Sequence, residues 1–300
     1  NPLSSLHVAL YDRATYQKQV VAAQLGSVLW NANAVKGFTY VGTNRYSCGG
    51  QTHWMVTVKD NRYGIEFMLI PGGSFLMGDL NNTGGSASFI ARPIHWVHLE
   101  PFLLARTEIT QAQWAAVLGG GNRPWQGKHF IGPKPSCAAN YISMEDTIQG
   151  PNSFCSITGW RLPTESEWEY ACRAGTQTAY YNGSNVEKQW SSYAWYGIPF
   201  WSSNAHPQQA GKKLPNAFGL HDMAGNVQEW CQDSWHYDYN GAPANGQPWG
   251  TGSLTSWDYR ATRGGNWQTS AKGCRSSCRG NDYAHNGSFE HGLRPAVSLR

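Results

Sequence analysis

The sequence predicts an α+β domain with one small twisted antiparallel sheet, a few flanking helices and long irregular loops. Three observations carry this. The 300 residues include 34 Gly and 15 Pro, too much punctuation for a helical bundle. Only 14% are charged, against a usual ~25%, while 15 are Trp and 15 Tyr. That composition excludes a coiled coil and a disordered chain, and it supplies large rings to pin loops. Finally, period-two alternation runs from Trp54 to Phe102 and two helix starts are signalled, yet beyond Gly175 hardly any segment is periodic.

Residues 1 to about 50 read as an N-terminal extension, because Tyr16, Val20, Val21, Leu25, Val28 and Leu29 recur at helical spacing and predict one amphipathic helix over 14–30. The domain proper takes residues 51–300. Trp54, Val56 and Val58 alternate as in a strand; Ile65 to Leu69 leads through Pro71-Gly72-Gly73 into Ser74 to Met77, which reads as strand, turn, strand. Ile94 to Phe102 continues the sheet. Thr110-Gln-Ala-Gln113 is a capping box that opens a helix ended by Gly119, and Thr164-Glu-Ser-Glu167 opens a second one ended by Gly175. Residues 176–260 read as loops held by tryptophan side chains.

The net charge of +4 is spread over 23 basic and 19 acidic groups, with Lys212-Lys213 the longest like-charged run. No basic stripe for nucleic acid is present. The apolar runs Phe67–Ile70 and Phe75–Met77 fall far short of the ~20 residues a membrane span needs, so no transmembrane segment is expected. Opening at Asn1 without Met fits a chain whose signal peptide has been removed, and the expected location is extracytoplasmic: periplasmic, cell-surface or secreted. Seven scattered cysteines, with no CxxC pair, leave two readings open: up to three disulfides with one odd thiol, or buried reduced thiols.

Five segments together carry a resemblance: Phe67-Met-Leu-Ile-Pro-Gly-Gly-Ser-Phe-Leu-Met-Gly78, Glu108-Ile-Thr-Gln-Ala-Gln113, Arg161-Leu-Pro-Thr-Glu-Ser-Glu-Trp-Glu-Tyr-Ala171, Asn216-Ala-Phe-Gly-Leu-His-Asp-Met-Ala-Gly-Asn-Val-Gln-Glu-Trp230, and Arg263-Gly-Gly-Asn-Trp267 followed by Gly292-Leu-Arg294. The chain resembles the formylglycine-generating enzyme (sulfatase-modifying factor) family, whose fold is similar to that of C-type lectins. The resemblance implies a copper(I) site for oxidising a substrate cysteine, held by two cysteines five positions apart just after the Gly-Gly turn. Thr269 stands where the first ligand would fall. Counted forward from the turn, Cys274 takes the second ligand position; counted back from Gly292, it falls on a non-ligand position and Arg279 takes that of a pocket arginine. Either register leaves at most one thiolate where a soft cation needs two, so copper is not expected. Asn266, Gln228 and Glu290 also depart from the family's Ser, Trp and Asn.

The resemblance further implies a calcium site from Asp222, the carbonyls of Gly225 and Val227, and the carboxylate of Glu229, hard oxygen donors of the kind this cation takes. The structural alternative is a turn in which Glu229 accepts backbone N–H groups. Cys274 and Cys278, four apart, lack further ligands for a soft metal unless His285 or His291 join them. His95, His98 and Glu100 cannot converge from one strand, because His95 faces the opposite way.

Residues 264–294 mix rigid aromatics with adaptable polar groups: Asn266, Trp267, Gln268, Tyr283, His285, Asn286, Phe289 and His291. Such mixtures suit binding surfaces. The expected function is therefore a non-catalytic binding or structural module, part of a larger complex or displaying a ligand surface, with a protein subunit, glycan or peptide as partner. The alternative is a copper-dependent oxidase acting on a substrate cysteine, with Cys274 and Arg279 in its site.

Overall fold

The computed structural model describes residues 35–82, 89–187, 189–250 and 255–299, so the helix expected over 14–30 lies outside the described residues. Strands β1 (Phe38–Cys48) and β2 (Gln51–Asp60) form a hairpin in register from Phe38↔Asp60 to Cys48↔Gln51. Its Gly49-Gly50 turn has φ of 61° and 76°, and a Cβ on Gly49 would sit 2.4 Å from the Tyr181 carbonyl oxygen. Glycine is required there. The boundary expected near residue 50 falls on this turn, and residues 38–50 belong to the sheet. β1 hid from the pattern because only its two ends are buried. Along β2, Met55 and Thr57 are buried as well as Val56 and Val58, since both faces are covered.

β3 (Glu66–Ile70), β6 (Phe102–Ala105) and β11 (Ala296–Ser298) complete a five-stranded sheet in the order β1-β2-β3-β6-β11. β4 (Gly73–Met77) does not fold back on β3. It pairs with β5 (His95–Leu99) in a separate ribbon, with Ser74 opposite His98 and Leu76 opposite Trp96.

A third sheet lies in the stretch that read as loop: β7 (Gln228–Ser234), β8 (Tyr259–Arg263), β9 (Arg279–Tyr283) and the two-residue β10 (His291–Gly292), in the order β10-β7-β8-β9. Its strands place Glu229, Asp233, Arg263 and Arg279 in the interior. Charge therefore points inward, and the alternation of polarity that marks an ordinary strand is erased.

Helices α1 (Gln111–Leu118) and α4 (Glu165–Arg173) begin as predicted. At α1, Thr110 Oγ1 accepts from the Gln113 N–H at 3.2 Å and the Gln113 side chain accepts from the Thr110 N–H at 2.9 Å. At α4 the same box joins Thr164 and Glu167. Two five-residue helices, α2 (Met144–Ile148) and α3 (Phe154–Thr158), are capped by Ser143 and Ser153; they are too short to show a period. Trp114, Trp168, Trp190, Trp230 and Trp267 are fully buried. Two of them tie loops by their indole N–H: Trp114 to the Asn122 carbonyl at 3.0 Å and Trp230 to that of Ile142 at 2.8 Å. No helix among the described residues is long and apolar enough to cross a membrane.

Removing the α1 cap tests its energetic role: Thr110→Ala is expected to lower unfolding free energy by about 1 kcal/mol in equilibrium urea denaturation. An unchanged midpoint would show that the cap contributes nothing.

Candidate functional site

Helix α4 buries Trp168, Ala171 and Cys172, and its charged residues Glu165, Glu167, Glu169 and Arg173 are buried too. Glu165 receives Arg279 through Nε at 2.6 Å and Nη2 at 2.8 Å, and Arg263 through Nε at 3.0 Å. Glu169 receives Arg263 Nη2 at 2.5 Å and Arg173 Nε at 2.9 Å. Burial alone would push the Glu165 carboxyl up, but Arg279 and Arg263 outweigh it and hold the group below the ordinary carboxylate range. Arg279 also donates to the carbonyls of Ile90 and His236 and lies over the rings of Trp235 and Tyr239 at 4.4 and 4.2 Å. With its donors spent in the interior, it is a structural clamp joining β9 to α4.

The second clasp joins Glu229 to Arg294. Arg294 Nε reaches both carboxylate oxygens at 3.0 Å, its Nη2 donates to Oε1 at 2.8 Å, and the Trp168 indole donates to Oε2 at 2.7 Å. This decides the implied calcium set. Both oxygens of Glu229 are occupied by donors, and a cation placed there would sit against a buried guanidinium. Asp222 spends Oδ2 on the Gly211 N–H at 2.6 Å, leaving buried Oδ1 without a partner. Among the described residues no three His, Cys, Asp or Glu side chains gather as a metal site. The donor set does not fit calcium, and Glu229 accepts from a guanidinium and an indole instead of from backbone N–H groups. His98 bonds Ser74, and His95 bonds the Pro93 carbonyl.

The turn after β8 brings residues 269 and 274 together. A Cβ built on Gly265 would meet Cys274 Sγ at 3.0 Å and Thr269 Cγ2 at 3.2 Å, so thiol and methyl flank the same point. Thr269 Oγ1 is engaged, accepting from the Asn266 N–H at 3.1 Å, while Asn266 Oδ1 accepts from the N–H groups of Gln268 and Thr269. Cys274 is buried, and burial, with Cys278 nearby, drives its thiol far above the ordinary range. All seven cysteines are free thiols, so the three-disulfide reading does not hold in this structure and cysteine usage no longer argues for an oxidising compartment. Five of the seven are buried, behaving as small apolar residues.

The eight surface residues divide. Asn266, Trp267 and His291 are buried, a correction to the expected surface. His291 packs tilted against Trp230 with centroids 4.6 Å apart, and Trp267 packs in a four-ring cluster with Phe130, Phe200 and Phe289. These rings touch because the segment closes over the core. Gln268 and Asn286 are half-buried. His285 is exposed and the half-buried Tyr283 lies beside it, where neighbours unnoticed in the sequence join them: Tyr259 stacks on Tyr283 at 4.1 Å, and Trp257, 72% exposed, crosses His285 at 4.8 Å. The result is an aromatic platform on β8 and β9.

Residues 55–299 match the family described as sulfatase-modifying factor enzyme 1-like domain. The chain belongs to this family. Among similar proteins, the formylglycine-generating enzyme of Streptomyces coelicolor is 29% identical over 250 residues, 66% of this chain and 77% of that protein. The serine/threonine-protein kinase pkn1 of Chlamydia caviae is 30% identical over 230 residues, 71% of this chain, but this chain spans only 34% of that protein's length. The solved structure of PvdO from Pseudomonas aeruginosa superposes with a TM-score of 0.67 at 26% identity, covering 84% of this chain and 99% of that one.

Two measurements probe the buried charges. Arg294→Met strands the Glu229 carboxylate and is expected to cost about 3–5 kcal/mol in chemical denaturation; millimolar calcium should restore none of it, and full recovery would revive the calcium set. Separately, burial and the Glu165 charge raise Asp233 from 3.8 to about 7. The folded state therefore keeps a proton that the unfolded chain releases. Its contribution is complete below about pH 4 and is lost as pH rises through about 7. Between pH 5 and 8 the wild type should lose on the order of 2–3 kcal/mol more stability than Asp233→Asn. Parallel pH profiles would contradict the shift.

Proposed function

We propose that this chain is a non-catalytic binding or assembly module of the sulfatase-modifying factor fold. The observation that carries this reading is the pair at residues 269 and 274. A thiol-bound copper(I) centre needs soft sulfur donors, and here one position offers a methyl group with its hydroxyl already engaged, the other a buried thiol held in its protonated form. Arg279, the remaining candidate for a reactive site, is consumed by Glu165. The contact face is the aromatic platform of Trp257, Tyr259, Tyr283 and His285, with rigid rings suited to a protein, peptide or glycan partner.

Copper(I) titration with a chromophoric competitor tests the reading together with oxygen uptake on a cysteine-containing peptide. Wild type should bind no stoichiometric copper and consume no oxygen above the buffer rate. Thr269→Cys, which returns a second thiol beside Cys274, is expected to gain a one-to-one site. Tight copper binding and turnover by the wild type would make the chain an oxidase instead.

A further inference from the structure

A cleft of about 660 Å³ opens beside the Thr269–Cys274 turn, on the side of Ser270 and Ala271. Its volume lies within the range of roughly 300–1,000 Å³ that accepts drug-sized or short-peptide ligands. One wall is the segment from Ser191 to Ile198, fixed to the turn by the Gly197 N–H on the Thr269 carbonyl and the Ile198 N–H on that of Trp267, both at 2.9 Å. The other wall includes Asn204, Gln208 and Lys213.

Among the described residues that line the cleft, Lys213 is the one cation. Its ammonium stands 3.7 Å from the centroid of the Trp195 ring and donates to the Ser191 carbonyl. The backbone behind it is fixed, with the Leu214 N–H on the Ser192 carbonyl at 3.0 Å and the Lys213 carbonyl bonded to His221 Nδ1 at 2.8 Å. The charge is thus held in place and half-buried, and no carboxylate among the described residues forms an ion pair with it. An ammonium positioned in this way by an aromatic ring and a carbonyl is a preorganised anchor for an anion. Ser191, Ser202 and Ser270 line the cleft around it, and among the described residues the Ser202 hydroxyl accepts from the Asn204 N–H at 3.1 Å.

The same wall carries an exposed carboxylate, Glu187, which accepts from the Tyr196 hydroxyl at 3.3 Å. Among the described lining residues, one cation and one carboxylate disfavour a polyphosphate or a nucleic acid, whose several charges would meet Glu187 as well as Lys213. They favour a ligand with a single carboxylate and a chain of hydrogen-bonding groups. We propose that this cleft binds a short peptide segment through one carboxylate seated on Lys213, with the serine hydroxyls taking peptide carbonyls. This goes beyond the binding-module reading, whose contact face is the aromatic platform, and the copper titration decides that reading separately.

The test is fluorescence anisotropy with a fluorescein-labelled Gly-Ser-Glu-Ser-Gly amide, its Gln counterpart and unlabelled N-acetylglutamate. Wild type should prefer the Glu peptide by about tenfold, the size of one charge-assisted contact. Lys213→Met should erase that preference, Lys213→Arg should keep part of it, and Lys59→Met, an exposed lysine of β2, should leave it intact. Should Lys213→Met fail to fold, Ser270→Trp at the exposed rim blocks the cleft and is expected to abolish binding. Equal affinity for the Glu and Gln peptides, no binding, or a preference unchanged in Lys213→Met or Ser270→Trp overturns the proposal. Displacement by N-acetylglutamate at the peptide's own concentration overturns the peptide assignment in favour of a small carboxylic acid.

Discussion

A buried guanidinium is tolerated only when every donor finds an acceptor and its charge finds a partner. Arg263, Arg279 and Arg294 are all buried, on two strands and near the C-terminus, and their carboxylate partners come from α4 and β7. That requirement dictates much else. Satisfying Arg263 draws the Ser276 and Cys278 carbonyls inward at 3.0 Å, which fixes the loop between β8 and β9. Satisfying Arg294 places its Nη1 on the Ala105 carbonyl at 2.9 Å, which locks the third sheet against the first. A chain with so little regular structure gains its unique arrangement from these saturated contacts as well as from tryptophan packing.

A related logic governs the turn from Asp222 to Glu229. Glu108, fully buried, accepts from the Asn226 side chain at 2.5 Å and the Val227 N–H at 3.0 Å. Burial first, then the neighbouring charges of Asp222 and Glu229, push its carboxyl well above the ordinary range. Three carboxyl groups thus share one guanidinium, and protonation relieves the excess charge. The turn is held by protein donors where its relatives' resemblance implied a bound cation. The cleft beside residue 269 inherits its rigidity from the same region, since Asn226 N–H bonds the Trp195 carbonyl at 2.8 Å and its own carbonyl receives the Trp267 N–H.

Much of the fold was legible. The capping boxes at Thr110 and Thr164 place two helices because cap chemistry is local, and the alternation from Trp54 to Phe102 finds strands because neighbouring residues along the chain carry the period of two. β1 was missed because its middle is exposed, and β7 to β9 because ionic partners replace apolar ones inside. The glutamates of α4 carried a usable signal: Glu165, Glu169 and Arg173 recur at four-residue intervals, a spacing that aligns charges on one helix face. What it lacked was the far side of the contact, contributed by residues 94 to 114 positions away.

The candidate site divides along the same line. By itself the sequence determined the family motifs, the two helix starts and the presence of Thr269 where a sulfur donor would stand, because each is written in neighbouring residues. Only the tertiary structure decided that Glu229 belongs to Arg294, that Trp267 and His291 are interior, and that Trp257 and Tyr259 meet Tyr283 on the outside. Those outcomes depend on which distant groups arrive to compete for each donor, acceptor and ring face, and separation along a chain does not encode distance in space.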